Sequence, residues 1–273
     1  MTTALILSSF VAANRIGGAA QQLALGALGI EAFLVPTILL GRNPARGSGG
    51  EAMSPGLLQG LVDGLEAEGL FARTDLVITG YFASAAQVGV AAETLAKVRA
   101  ASPGVIVVVD PILGDHPKGL YVKPEVAEAI AARLVPAADW ITPNAWELGR
   151  LARREIATAA DAAAAARGLG VRALVTSAPA REGEIGLLLW DGETARLYAH
   201  ARRPQAPNGT GDLVTAVFAA GLAKGPAPAA AAERAAIAAG RMVDLAAEGD
   251  LPLTALGEVL LRGADGLRIE ALS

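Results

Sequence analysis

The feature that most limits the folds open to this chain is an alternation. Short, almost wholly apolar runs rich in β-branched residues are separated by longer stretches with helical spacing. The runs are ALILSS (4 to 9), IEAFLVPT (30 to 37), DLVITG (75 to 80), VIVVVD (105 to 110), DWIT (139 to 142) and VRALVTS (171 to 177). A strand with one wet face alternates apolar and polar residues, so runs this continuous need cover on both faces. The intervening GGAAQQLALGAL (17 to 28), AQVGVAAETLAKVRA (86 to 100) and AAAAARGL (162 to 169) read as helices that supply the cover. The pattern predicts an α/β fold, a three-layer α/β/α sandwich with a central, mostly parallel sheet. GEIGLLLWDGETARLYAH (183 to 200) departs from it and reads as a hairpin turning at Asp191-Gly192, and after Asn208 the chain reads as helical to near its end. The alanine runs near 160 and 230 fit helices, and no composition break marks a linker, so residues 1–273 are expected to form a single domain.

Composition narrows the partners. With 53% hydrophobic residues in 273, the chain has enough apolar material for a large core. A formal charge of -4 and a pI near 5.3 argue against nucleic acid or an anionic membrane as partner, because both need a concentrated basic surface. Zero cysteines exclude disulfides, thiolate metal sites and a cysteine nucleophile, and His116 and His200 are the only imidazoles. The N-terminal MTTALILSSF has no positive flank, and no run approaches the roughly 20 apolar residues of a membrane span, so a cytoplasmic protein acting on small molecules is expected.

Open parallel sheets bind ligands beyond the carboxyl ends of their strands. The residues there are Ser8 and Ser9, Thr37, Gly80 and Tyr81, Asp110, Thr142 to Glu147, and Thr176 with Ser177, a set rich in oxygen and poor in bases. NGTGD (208 to 212) runs from a loop into an apolar helix. Gly209 and Gly211 let the backbone approach a ligand, and the first helical N–H groups favour a phosphate. Asp212 in the same place can orient and deprotonate a hydroxyl that attacks that phosphate. On its own, the same pentapeptide also suits an acidic residue that merely complements a helix dipole.

Asp110 ends a buried strand, where a carboxylate can hold hydrated Mg²⁺ or a phosphate through it, and the turn-rich GDHPKGLY (114 to 121) can close over a reaction centre with Lys118 near the phosphates. In TPNAWEL (142 to 148), Asn144 and Glu147 have the spacing of a capping box, and they can equally share a metal shell with Asp110. The hydroxyls of Thr176 and Ser177 can contact nucleotide phosphates. No GxxxxGK[ST], no GxGxxG after the first strand and no GxSxG is present, which removes P-loop, dinucleotide-fold and nucleophile-elbow chemistry.

SSFV, TGYFASAAQ, DPILGDHPKGLYV, TPNAWELGRL, VTS and NGTGDLVTAVFAAGL, in that order from Ser8 to Leu222, resemble the ribokinase-like superfamily and most of all its pyridoxal kinases. The resemblance implies ATP-dependent phosphorylation of the hydroxymethyl group of a B6 vitamer, with Mg²⁺ as cofactor, potassium as a candidate further cofactor, and a homodimer. It implies Asp212 as catalytic base, with Gly209, Thr210 and Gly211 as anion hole. It implies Asp110 and Glu147 for Mg²⁺ and ATP, Thr142, Asn144, Thr176 and Ser177 along the ATP phosphates, and Ser9, Thr37 and Tyr81 at the acceptor. The chain departs from those kinases at FVAANRIGGAA (10 to 20), with Phe10, Gly18 and Ala19, and at GRNPARG (41 to 47), where Pro44 and Ala45 stand in place of ring-contacting side chains. IGGAAQQLALGALG (16 to 29) is also similar to the first helix of sugar kinases and hydroxymethylpyrimidine kinases. Those acceptors, or binding of nucleotide or pyridoxal phosphate without catalysis, are the alternative expectations.

Overall fold

The computed structural model describes residues 1–272 apart from 48, 204–205, 226, 247–249 and 262–265. In chain order its main elements are β1 (Thr3–Val11), α1 (Gly17–Ala27), β2 (Glu31–Leu40), β3 (Gly50–Ala52), α2 (Pro55–Ala67), β4 (Leu76–Thr79), α3 (Ala85–Ala101), β5 (Ile106–Val109) and the short strands β6 (Gly114–Asp115) and β7 (Gly119–Leu120). There follow α4 (Pro124–Ala129), β8 (Trp140–Ile141), α5 (Ala145–Ala152), α6 (Ala159–Leu169), β9 (Arg172–Ala178), β10 (Glu184–Trp190), β11 (Ala195–Ala201), α7 (Thr210–Ala223), α8 (Pro228–Leu245), α9 (Leu256–Leu261) and β12 (Arg268–Leu272).

Ten strands form one sheet in the order β12-β11-β10-β9-β8-β5-β4-β1-β2-β3. From β9 across to β2 every pairing is parallel, while β10, β11 and β12 on one side and β3 on the other are antiparallel additions. Alternate residues of each strand go to opposite faces. Leu5, Leu7, Val77, Val107 and Val109 meet Leu58, Val62, Val88, Leu95 and Leu148 from α2, α3 and α5. Ala4, Ile6, Ile78 and Val108 meet Ala20, Ala24 and Leu25 of α1 and the apolar residues of α7 and α8. Both faces are therefore core, which is why the strands carry no polar alternation, and each fully buried Leu, Val or Ile contributes about 1.5–3 kcal/mol. In α7 every residue from Leu213 to Gly221 is buried, as expected for a helix packed on all sides.

The hairpin at Asp191-Gly192 forms as β10 and β11, with Asp191 Oδ1 accepting the N–H groups of Glu193 and Thr194. After Asn208 the chain forms α7, α8 and α9, in keeping with the helical expectation, and near its end it returns to the sheet as β12, which pairs with β11 and is tied to β10 through Arg268 and Glu184. The turn-rich 114 to 121 segment folds into the two-stranded β6-β7 ribbon.

Candidate active site

The carboxyl ends of β1, β4, β5, β8 and β9 lie along one edge of the sheet, and that edge bears a cavity of about 470 Å³. Ser9 and Val11 from the end of β1, Ile38 and Leu40 from β2 and Tyr81 after β4 form one side. Ile112, Lys118 and Tyr121 close it from the segment after β5, and Asn208, Gly209 and Asp212 line it at the entry to α7.

The entry to α7 has the form its sequence calls for. Gly209 is the N-cap at φ 94°, and a Cβ there would overlap the carbonyl oxygen of Arg15, so both conformation and contact require glycine. No side chain caps the helix, and the first-turn N–H groups of Thr210, Gly211 and Asp212 have no acceptor within the helix. A Cβ on Gly211 would meet nothing within 4 Å, so the helix surface is open at that residue. Thr210 turns its hydroxyl away and donates to Pro207 O at 2.8 Å.

Asp212 Oδ2 accepts from the backbone N–H of Gly17 at 2.8 Å, whereas Oδ1 is shielded from solvent and has no partner. Burial raises the carboxyl pKa to about 6, opposed by the Gly17 hydrogen bond. A buried oxygen with nothing to accept from is costly unless a ligand donates to it, and a base with a pKa near neutrality suits proton removal.

Asp110 is buried at the end of β5. Its Oδ2 accepts from Thr215 Oγ1 of α7 at 2.9 Å, and Thr215 Oγ1 lies 2.8 Å from Thr142 Oγ1, so the Thr142 hydroxyl is consumed in an internal chain. Burial pushes the Asp110 carboxyl well above its ordinary range, and repulsion from Glu147 and Asp212 adds to that. Three carboxylates thus share one corner of the site. Among the described residues, however, no group of three His, Cys, Asp or Glu side chains is arranged to hold a metal ion.

Glu147 completes the expected capping box: Asn144 Oδ1 accepts from Glu147 N at 2.9 Å, and Glu147 Oε2 accepts from Asn144 N at 2.8 Å. Its other oxygen accepts from Leu113 N at 2.7 Å and Gly114 N at 3.2 Å, while Asn144 Nδ2 donates to Gly114 O at 2.8 Å. The pair therefore caps α5 and anchors the start of the segment that covers the cavity. Burial lifts the Glu147 carboxyl to about 7 against these N–H groups, with repulsion from Asp115 adding to the rise. Thr176 bridges to Asn144 at the end of β9, its N–H donating to Pro143 O at 2.8 Å, and Ser177 follows at φ 51°.

Of the residues expected at the acceptor, Ser9 and Tyr81 line the cavity and Thr37 does not. Thr37 is buried behind its wall and donates its hydroxyl to Tyr81 O at 2.5 Å, while its own carbonyl accepts from Gln87 Nε2 at 2.8 Å. It shapes the Tyr81 turn instead. No motif points to Asn43, which is buried and lines the cavity with its N–H held by Asn14 Oδ1 at 2.9 Å; Asn14 in turn donates to Asp250. Tyr121 and Ile112 line it as well, again without a sequence signal. Loop residues of this kind carry no periodicity, and only the tertiary contact between the turns after β1 and β2 brings Asn14 and Asn43 together.

A model of a family described as phosphomethylpyrimidine kinase matches residues 19–246. A pyridoxine/pyridoxal/pyridoxamine kinase of Bordetella avium is 36% identical over 243 residues, covering 86% of this chain and 81% of that protein. Pyridoxal kinase from Entamoeba histolytica superposes with a TM-score of 0.92 at 24% identity, covering 100% of both chains. Pyridoxal kinase from Leishmania donovani in complex with ADP and pyridoxamine does so with a TM-score of 0.91 at 22% identity, again over 100% of both. The fold, the order of motifs and these matches place the chain in the phosphomethylpyrimidine kinase family, within its pyridoxal kinase branch.

Proposed function

We propose that this chain transfers the γ-phosphoryl group of ATP to the hydroxymethyl group of pyridoxal or a related B6 vitamer. The observation that carries the reading is Asp212, a residue lining the cavity: one carboxyl oxygen is held by a backbone N–H and the other is buried without a partner, in the first turn of a helix that no side chain caps. At pH 7 a carboxyl titrating near 6 is about ten parts ionised to one protonated, so the base is ready to take a hydroxyl proton. The N–H groups of residues 210 to 212 then stabilise charge on the transferred group. The Bordetella avium relative is named for three vitamers, and the Leishmania donovani kinase was solved with ADP and pyridoxamine, which supports nucleotide and vitamer as the two ligands.

Mg²⁺ fits this site as an ion held mainly by nucleotide phosphates and water. Such an ion takes one or two carboxylates and keeps much of its hydration. Asp110 would be the residue for it, since burial, with repulsion from Glu147 and Asp212 added, disfavours its ionised form and a cation would offset both. The ion supplies charge neutralisation on the phosphates. Glu147 already accepts three N–H groups, so its role runs through the 113 to 114 backbone. Thr176, Ser177 and Asn144 belong to the nucleotide side and Ser9, Tyr81 and Asn43 to the acceptor side.

A homodimer in the cytoplasm completes the reading. Exposed Leu39, Leu57 and Leu61 on β2 and α2 favour self-association, and among the described residues no helix is long and apolar enough to cross a membrane. Sedimentation as a 27.5 kDa species would remove the dimer.

The deciding experiment is ADP release with pyridoxal, pyridoxine, pyridoxamine and hydroxymethylpyrimidine as acceptors. A vitamer giving the highest kcat/KM is the expected result. Preference for hydroxymethylpyrimidine would shift the assignment to the acceptor named by the family model, and nucleotide binding without ADP release would end the kinase reading.

A further inference from the structure

We infer that Gly17 is a positioning residue of this site: its backbone N–H fixes Asp212 Oδ2 and so leaves Oδ1 as the oxygen that receives the acceptor hydroxyl. The inference rests on the kinase reading and concerns how the base is aimed. The hydrogen bond is 2.8 Å long and joins residues 195 apart in sequence. Gly17 is the first residue of α1, whose N-cap Ile16 offers no side-chain cap, so a carboxylate on α7 acts as the cap of α1. Two helix N-termini therefore converge on a single carboxyl group.

The contact is built to a close tolerance. Gly17 has φ 65°, and a Cβ there would overlap Ser9 Oγ and lie 2.9 Å from Ser9 O. On the other strand of the contact, Gly209 has no room for a Cβ beside Arg15 O and Ile16 Cγ2. Residues 15 to 17 and 209 to 212 thus interlock at two points, and glycine is required at each. Because the donor is a backbone N–H, the unusual side chains Phe10 and Ala19 on either side leave the contact intact.

A glycine that only shaped the turn would leave the ionisation of Asp212 unchanged, whereas a donor to the charged carboxylate lowers its pKa. Among the described residues, the other titratable groups around the site are Asp110 after β5, Glu147 on α5, and Tyr81, Lys118 and Tyr121 on the cavity, and α1 contributes no acid in its first turn. The experiment uses the full chain with G17A, compared with the parent, and S9A/G17A, compared with S9A because Ser9 lines the acceptor side; the double variant removes the closest overlap so that a folded protein is available. ADP release at saturating pyridoxal is followed from pH 5 to 8, alongside ADP affinity. We expect ADP affinity within about twofold of the parent, kcat lower by about tenfold or more, and the acidic limb of the kcat profile displaced upward by about half a pH unit or more. A lower kcat with an unmoved limb would reduce Gly17 to a turn residue and overturn the inference, as would an unchanged kcat. If the parent protein itself releases no ADP with any acceptor of the panel, the kinase reading falls and takes this inference with it.

Discussion

Asp212 illustrates how a single side chain can serve activity at the expense of stability. One oxygen of its carboxyl is closed to solvent and unsatisfied, and that strain on the fold is what leaves it reactive. Asp212→Asn keeps an oxygen for Gly17 and removes the buried charge. We expect it to lose about 10²–10⁴-fold in kcat while retaining ADP binding, and to melt a few degrees higher than the parent. Unchanged turnover would defeat the assignment of the base, and a fall in Tm would show that the charge is better accommodated than its surroundings suggest. Asp110, Glu147 and Asp212 stand out in the sequence as carboxylates after a strand or at the mouth of a helix, and the structure brings the three together at one corner of the site. What was not legible is how they divide the work. The capping box of Asn144 and Glu147 and a metal shell look identical in sequence, and only the bonds to Leu113, Gly114 and Asn144 show that the glutamate's oxygens are largely taken up by backbone.

Helix caps allow the local and the functional roles of an element to be separated. Ser54 caps α2 by accepting from Leu57 N at 3.2 Å, and Asn144 caps α5 by accepting from Glu147 N at 2.9 Å. Either loss of a cap removes about 0.5–2 kcal/mol. Only Asn144 also donates to Gly114 O, at the root of the segment over the cavity. Ser54→Ala should therefore lower Tm with kcat/KM unchanged, while Asn144→Ala should lower Tm and reduce kcat/KM by about tenfold or more, since misplacing a positioning segment by little costs heavily in rate. Thermal melts and ADP release on the two variants check this; equal kcat/KM would show that the 113 to 114 backbone needs no anchor. Ser54-Pro55 ahead of Leu58 and Val62 is a helix start readable from the sequence, and it forms α2 with those two side chains buried. The C-terminal strand was harder to read. RIEAL alternates over only five residues, and its pairing with β11 decides the outcome.

Across the whole molecule, the parallel centre of the sheet was legible because burial on both faces writes itself as continuous apolar runs. Its edges were not, since β3 is exposed throughout and β12 is half-exposed, and such strands resemble loops. The same architecture gathers three carboxylates at one edge, and that has a consequence for stability as pH changes. Glu147 is raised to about 7, Asp212 to about 6, and Asp110 well above its usual range, all with burial as the leading cause. In the unfolded chain each titrates near 4, so between about pH 4 and 7 the folded protein binds more protons than the unfolded one. Stability supplied by these groups is full below their unfolded values and is lost as pH rises through the folded ones. Asp161, Glu184 and Asp191 have lowered values and act oppositely, but their stabilisation is lost only as pH falls below the ordinary carboxylate range, outside this window. The ligand-free protein should consequently melt higher at pH 5.5 than at pH 8, by roughly 5 °C, corresponding to a net change on the order of 2 kcal/mol for a chain of this size. Mg²⁺ with ADP should flatten the slope, because a cation bound beside Asp110 favours the ionised carboxylates. Scanning calorimetry at both pH values, with and without the ligands, tests the prediction, and a ligand-free Tm that is flat or rises with pH would mean that the three acids do not burden the fold as their burial implies.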